Sequence, residues 1–119
     1  MSVDLSGFGH QESAEISAAT DTLAIGDQGL VQNVTVDSVI TLPATVVGYS
    51  FTVRVGAPGI TVAVSPAAAD LIAGNGFTAA DNKDLVFTTQ PAGSYVTIVG
   101  NGTTGWNVTA ISGTATREA

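Results

Sequence analysis

Residues that could do chemistry are scarce in this chain, which holds one histidine, no cysteine, one lysine and two arginines. Nucleophilic catalysis needs a nucleophile with a general base held within hydrogen-bonding reach. The single histidine, His10, lies in a Ser/Gly-containing segment where nothing in the sequence would fix its position. Transition-metal sites usually take several His or Cys ligands. We therefore expect a protein that is not an enzyme and that carries no metal and no cofactor.

One acidic pair could supply oxygen ligands, since Asp81 and Asp84 stand in the run Asp81-Asn82-Lys83-Asp84. Calcium takes such ligands, but a calcium loop of the EF-hand type also needs further acidic or amide residues at alternate positions and a distal Glu. Those residues are missing. The favoured interpretation is a solvated turn whose Asp and Asn side chains bond to nearby backbone.

Two further side chains allow a functional and a structural interpretation. Arg54 is a basic residue in the interior of a predicted strand. It could pair with a carboxylate of a neighbouring subunit, or it could be an exposed charge that guards a sheet edge, and the second interpretation is the simpler one. Trp106, the only tryptophan, could anchor an interface, but packing over the end of the core is the more ordinary use of a lone Trp beside a turn.

The composition indicates strands and disfavours several partners. Valine, isoleucine and threonine account for 38 of 119 residues, while aromatic residues are only 6%. A net charge of −7 disfavours nucleic acid, which is bound through Lys and Arg, and anionic membrane surfaces. Charged residues are 11%, against about a quarter in ordinary domains. Either self-association or a polar, uncharged β surface would account for so few charges.

Turn signals divide the chain from Thr20 onward into short strands, at the spacing typical of an all-β sandwich or barrel. The stretch 48–65 alternates on both sides of Ala57-Pro58-Gly59, which predicts an antiparallel hairpin. No exact internal repeat is visible, which disfavours a regular solenoid. The predicted fold is all-β, a compact antiparallel sandwich or barrel of about eight short strands. The predicted strands are 20–25, 30–36, 39–42, 48–56, 60–65, 70–73, 83–89, 94–99 and 106–111.

The predicted organisation is an arm over 1–19, a β domain over 20–114 and a frayed tail over 115–119. The arm is polar and flexible, with at most one helical turn around 13–19, and it could order against a partner. It lacks the basic and apolar regions of a secretory signal, so we expect synthesis in the cytoplasm.

The strand 94–99 is apolar on both faces, which predicts a central or interface position. Val96 and Ile98 form one face, and Tyr95 and Val99 form the other. Together with Arg54, Tyr95 and Val99 are the candidate subunit-interface residues.

A recognisable order of motifs runs from about Val34 to Thr114. The motifs are Val39-Ile40-Thr41-Leu42-Pro43-Ala44, Gly48-Tyr49-Ser50-Phe51-Thr52-Val53, Ile60-Thr61-Val62, Ser65-Pro66-Ala67-Ala68-Ala69-Asp70-Leu71-Ile72-Ala73-Gly74, Gly93-Ser94-Tyr95-Val96-Thr97-Ile98-Val99-Gly100 and Gly105-Trp106-Asn107-Val108. This order resembles small virion proteins of tailed bacteriophages, above all head decoration (cement) proteins. Similar stretches occur in trimeric tail-fibre and tailspike modules. The resemblance covers about two-thirds of the chain and rests on the order of the motifs.

The resemblance implies a homotrimer that binds the major capsid protein on the outside of the virion and stabilises the shell. It also implies that the N-terminal segment reaches to the shell, with Val3, Leu5 and Phe8 as candidate capsid-contact anchors. The alternative is a tail-fibre or receptor-binding β module. A receptor-binding module at the tip of a fibre would be expected to expose aromatic residues. The seven aromatic residues of this chain lie mostly at predicted core positions.

Overall fold

The computed structural model describes residues 13–67, 70–74 and 83–117. Apart from a 3₁₀ turn at Ile25–Asp27, the regular structure of these residues is entirely β. The strands are β1 Ser13–Ile16, β2 Thr20–Thr22, β3 Val31–Val34, β4 Ser38–Thr41, β5 Ser50–Val55, β6 Thr61–Ser65, β7 Leu71–Ala73, β8 Leu85–Thr88, β9 Tyr95–Gly100, β10 Gly105–Ser112 and β11 Thr116–Arg117.

The described strands form two mixed sheets. The six-stranded sheet has the order β1-β3-β5-β9-β10-β7, and the five-stranded sheet has the order β11-β8-β6-β4-β2. In the first, β9 runs against its neighbours, because its pairings with β5 and β10 are antiparallel while the other pairings are parallel. In the second, β2, β4 and β6 are parallel, and β8 and β11 add antiparallel pairs.

The first half of the chain is a short parallel solenoid. Each coil places one strand in the six-stranded sheet and the next in the five-stranded sheet, so that β1–β2, β3–β4 and β5–β6 are three stacked coils. The coils differ in length. The step along the chain from Ser13 to its partner Val31 is shorter than the step from Val31 to its partner Thr52.

This topology confirms the all-β prediction and corrects its antiparallel form. The predicted hairpin over 48–65 is wrong, because β5 and β6 lie in different sheets and the turn at Gly59 (φ 79°) carries the chain between them. A sheet-to-sheet turn and a hairpin turn have the same local sequence signals. The sequence disfavours a regular solenoid, and the three coils are indeed irregular, since their unequal lengths leave no repeat in the sequence.

The core lies between the two sheets and follows the two-residue alternation of the strands. In β5, for example, Phe51, Val53 and Val55 are buried while Ser50, Thr52 and Arg54 are half-buried on the outer face. Trp106 is fully buried and lies 5.5 Å from the ring of Phe51 in a tilted arrangement, so its structural interpretation is the correct one. Across the core, the five-stranded sheet contributes Ile40, Val62, Val64, Leu85 and Phe87.

Two local predictions have clear outcomes. The helical turn expected around 13–19 is instead strand β1, so the described β structure begins at Ser13 rather than at Thr20. The short edge strand expected at 70–73 is confirmed as β7, the last strand of the six-stranded sheet in the described chain. In the residues described, no helix is long and apolar enough to cross a membrane.

Candidate functional site

A row of polar side chains crosses the outer face of the six-stranded sheet. Strand register places Glu15 beside Asn33, Asn33 beside Arg54 and Arg54 beside Tyr95. Because one residue from each of four adjacent strands occupies the same level, their side chains project from the same face. We call these four residues the polar row.

The polar row is joined by hydrogen bonds through its amide. Arg54 Nη1 donates to Asn33 Oδ1 at 2.5 Å. Asn33 Nδ2 donates to both carboxylate oxygens of Glu15 at 3.1 Å. The amide therefore stands between the only two charged members of the row and orients the guanidinium without neutralising it.

Gly56 makes room for this amide. A Cβ at position 56 would lie 2.7–2.8 Å from the Asn33 side-chain amide and 2.8 Å from the carbonyl oxygen of Val34. Separations under 3.0 Å require something to move, so any side chain at this position would displace Asn33. The glycine that follows β5 thus keeps the central hydrogen bond of the polar row in place.

The charge of Arg54 has no ionic partner in this part of the chain. Within the described residues, no carboxylate lies within the 4.0 Å of an ion pair from Arg54. Its side chain is half-buried, so part of its hydration is already lost. A half-buried guanidinium of this kind is suited to a carboxylate or phosphate, which Arg binds through two parallel hydrogen bonds.

A shallow groove of about 360 Å³ runs beside the polar row. The floor of the groove consists of three short side chains, Thr52, Thr97 and Ala110, which are cross-strand neighbours. The two Thr hydroxyls are hydrogen-bonded to each other at 2.8 Å. Arg54 and Tyr95 rise above this floor. We call this the Arg54 groove, and its lining residues are Val31, Ser50, Thr52, Arg54, Tyr95, Thr97 and Ala110.

The three predicted interface residues therefore lie on one face. Arg54 and Tyr95 are direct cross-strand neighbours in the Arg54 groove, whereas Val99 pairs with Ser50 at the other end of the same two strands and does not line the groove. All three are half-buried. Contact of this face with another subunit stays a prediction.

The other predicted site residues lie outside the described residues. They are Val3, Leu5, Phe8, His10 and Asp81. The described ranges contain no group of three or more His, Cys, Asp or Glu residues that could hold a metal ion. The run Gly100-Asn101-Gly102 belongs to a turn. Asn101 Oδ1 stabilises this turn by accepting the backbone N–H groups of 103, 104 and 105 at 2.9–3.0 Å.

Sequence reasoning missed Glu15 and Asn33. Asn33 is visible as a polar residue within an alternating strand, but its neighbours depend on the parallel pairing of β1, β3 and β5, which lie far apart along the chain. No local signal gives that register. An Asn at the centre of a β-rich segment is the one available indication.

The opposite face of the molecule has no charged residue at its outward strand positions, among those that the structure describes. In the five-stranded sheet, Val39, Ala63 and Val86 are cross-strand neighbours in one outward row. The outward residues around them are hydroxyl-bearing: Thr20, Thr22, Thr41, Thr61, Ser65, Thr88 and Thr116. We call this surface the neutral face.

Comparison with known proteins adds no relative. No protein-family model matches the sequence, and no curated protein matches it either.

Proposed function

We propose that this protein is a structural virion protein, a head decoration (cement) protein that binds the outside of a phage capsid as a trimer. The observation that carries the proposal is the Arg54 groove, a half-buried cation beside apolar side chains on a rigid sheet face and without an ionic partner in the described residues. Such a surface is suited to protein carboxylates by shape and charge. The resemblance of the motif order supplies the class of protein.

Subunit contact through the predicted interface residues follows from the same surface. Tyr95 and Val99 offer apolar area, and Arg54 offers a charge that a copy of this acidic chain can meet with one of its ten carboxylates. Aromatic and Arg side chains are the types most enriched at the energetic centres of interfaces. A desolvated Arg–carboxylate pair also fixes the orientation of the partner.

The neutral face supports self-association as well. Two chains of net charge −7 repel each other wherever their carboxylates approach. A face whose outward strand residues are Thr, Ser, Val and Ala can be covered without that cost. In a trimer each subunit contributes two different surfaces to its neighbours, and the Arg54 groove and the neutral face lie on opposite sides of the molecule.

A trimer with these properties would stabilise a shell by mass action. A protein that binds the assembled lattice better than its separated parts shifts the equilibrium toward the lattice. Three linked contacts raise the avidity of a trimer far above that of one contact. The capsid partner is the major capsid protein, and the expected location is the capsid exterior.

One observation favours a second candidate, a segment of a tail fibre. The three coils stack in parallel, and stacked repeats are the way in which extended β structures lengthen. A fibre segment would bind a host-cell receptor or continue into further coils, and it would not need the capsid.

A binding assay separates the two candidates. The purified protein is incubated with expanded empty capsids of its phage and, in parallel, with intact host cells, and co-sedimentation is measured. The decoration proposal expects saturable binding to expanded capsids and none to cells. Binding to cells alone would replace it with the fibre proposal, and a stable monomer in sedimentation at micromolar concentration would overturn the trimer.

A further inference from the structure

One carboxylate stands apart from the others in the described part of the chain. Asp21, in the middle of β2, makes no hydrogen bond and no ion pair with another described residue. The remaining described carboxylates each have an interaction within the chain, and they are Glu15, Asp27, Asp37, Asp70 and Asp84. Asp21 is therefore the acidic counterpart of Arg54, whose charge also has no ionic partner among the described residues.

Strand register turns Asp21 toward the space between the sheets. It pairs with Ile40, which is fully buried, whereas its neighbours Thr20 and Thr22 are exposed. Strand β2 is the outermost described strand of the five-stranded sheet and pairs on one side only. Asp21 is accordingly half-buried rather than enclosed. Its carboxylate faces the end of the stack of coils, where another molecule can approach it.

Asp21 lines a cavity of about 330 Å³ at this end of the stack. The lining includes the carboxylates of Glu15, Asp21 and Asp27 and no basic side chain. It also includes Gln32, which is 1% exposed and whose Nε2 has no hydrogen-bond partner. Buried polar atoms nearly always find a partner, and each exception calls for an explanation. The cavity thus suits a partner that supplies both a cation and a hydrogen-bond acceptor.

The Arg54 groove carries these two groups side by side. Tyr95 is the direct cross-strand neighbour of Arg54, and both side chains line the groove. The Tyr95 hydroxyl has no hydrogen-bond partner among the described residues, and a phenolic hydroxyl accepts as well as donates. Both side chains are half-buried and lie on strands that are paired on both sides. A cation and an acceptor are therefore presented together on a rigid sheet.

The two charges cannot meet within one chain. Asp21 belongs to the five-stranded sheet and points between the sheets, whereas Arg54 lies on the outer face of the six-stranded sheet. The six-stranded sheet therefore stands between them, and two packed sheets are themselves about 10 Å apart. Pairing of Arg54 with Asp21 requires a second copy of the chain.

A contact of this kind is head-to-tail, because it joins two different surfaces of the same molecule. One subunit contributes its Arg54 groove, and the next contributes the end of its first coil. The groove lies on a sheet face and the cavity lies at the end of the stack, so the two are adjoining sides of the molecule. Contacts between adjoining sides change direction from one subunit to the next and can close into a ring. The neutral face, opposite the groove, takes no part in this contact.

We propose that Arg54 of one copy pairs with Asp21 of a second copy, and that the Tyr95 hydroxyl accepts a hydrogen bond from Nε2 of Gln32 in the same contact. The inference rests on the proposed trimer and names the partner of the Arg54 groove within it. A guanidinium binds a carboxylate through two parallel hydrogen bonds. Each subunit holds one Arg54 and one Asp21, so a closed ring leaves neither charge unpaired.

A double-variant cycle on the full-length protein tests the pairing. Arg54→Gln and Asp21→Asn each remove one charge with little change of shape. Each alone should raise the trimer dissociation constant at least about tenfold. If the two side chains pair, the double variant loses no more than either single variant, whereas independent losses multiply. Sedimentation over a concentration series measures the wild type and all variants.

Exchange of the two charges is a second test. Arg54→Asp and Asp21→Arg each place like charges in the contact and should dissociate the trimer at micromolar concentration, whereas the double variant Arg54→Asp/Asp21→Arg should restore it. The control Arg117→Asp/Asp21→Arg has the same net charge and should stay dissociated. Urea unfolding of every variant selects those that are folded.

The outcomes separate this inference from the proposed function. Losses that multiply in the cycle, or a folded exchange variant that stays dissociated, would overturn the pairing and leave the trimer intact. An unchanged constant for Asp21→Asn, together with larger assemblies, would also overturn it and would assign Asp21 to guarding the edge of β2. A wild type that is monomeric throughout the series would overturn the proposed trimer itself.

Discussion

Arg54 hydrogen-bonds to the side-chain carbonyl of Asn33, at 2.5 Å, and not to a carboxylate of the described residues. The only carboxylate in the polar row belongs to Glu15, on the far side of the Asn33 amide. The hydrogen bond orients the guanidinium and leaves its charge without an ionic partner among the described residues. This relationship distinguishes the outer face of the six-stranded sheet from an ordinary solvated β surface.

Removing the charge of Arg54 should weaken self-association. Truncating one partner of a buried, hydrogen-bonded charge pair in an interface costs about 2–5 kcal/mol, so Arg54→Gln should raise the trimer dissociation constant at least tenfold. Sedimentation over a concentration series measures this. The matched control is Arg117→Gln, which removes an equal charge from an exposed position. The edge-guarding interpretation of Arg54 is wrong, because β5 is paired on both sides within its sheet. An unchanged constant for Arg54→Gln would therefore leave Arg54 as an outward charge with no part in self-association.

Supplying a carboxylate within the chain should have a similar effect. Asn33→Asp places a negative charge next to Arg54, in the position of the present hydrogen bond, so that Arg54 pairs with a carboxylate of its own chain. Glu15→Gln is added to the same variant, because the Glu15 carboxylate now accepts from Asn33 Nδ2 and would repel the new charge. We expect weaker self-association with a free energy of unfolding within about 1 kcal/mol of the wild type. Sedimentation and urea unfolding measure the two quantities. Loss of stability together with association would mean that the variant acts through the fold.

Strand positions can be predicted from this sequence better than strand partners. Alternation locates β5 and β9, with Phe51 and Val96 inward and Arg54 and Tyr95 outward, because alternation is a local property. The parallel pairing of β3 with β5 is not local, and the unequal coils leave no repeat to recognise. Arg54 and Tyr95 are therefore foreseeable as outward residues, whereas their contact with each other and the role of Asn33 are not.

Gly105 is expected to tolerate no side chain. Its φ is 151°, and a Cβ here would overlap the backbone of Leu71, the residue with which it pairs between β10 and β7. Because a neighbouring backbone would have to move, Gly105→Ala should cost about 3 kcal/mol or more, in the range of the most severe single substitutions. Gly26→Ala is the control, since nothing lies within 4 Å of its added Cβ. Chemical unfolding compares the two, and equal losses would contradict the expectation.

The contact between Phe51 and Trp106 should carry much of the core energy of the six-stranded sheet. Both are 0% exposed, and a buried Phe→Ala change costs about 3–5 kcal/mol. Phe51→Ala should therefore lower stability by that amount and alter the fluorescence of Trp106, the only tryptophan. Val47→Ala, at a side chain that is 73% exposed, should leave both unchanged. A loss under about 1 kcal/mol for Phe51→Ala would contradict this view of the core.

The loop between β9 and β10 should depend on a single side chain. Asn101 Oδ1 accepts three backbone N–H groups, so Asn101→Ala leaves three donors to find water. We expect a loss of about 1–3 kcal/mol and faster amide exchange at Thr104 and Gly105. The control is Asn107→Ala, at an exposed position of β10. Equal effects of the two substitutions would remove the special role of Asn101.

The order of strands in the two sheets also sets the mechanical response of the protein. Strand β1, the first described strand, is an edge of the six-stranded sheet, and β11, the last, is an edge of the five-stranded sheet, at the end of the stack away from the first coil. A force that separates these two edges acts across the strands, along the inter-strand hydrogen bonds, so that pairs open one after another rather than shearing together. Forced unfolding follows the unfolding rate. The molecule should therefore yield to tension between its ends at lower force than to tension along its strands.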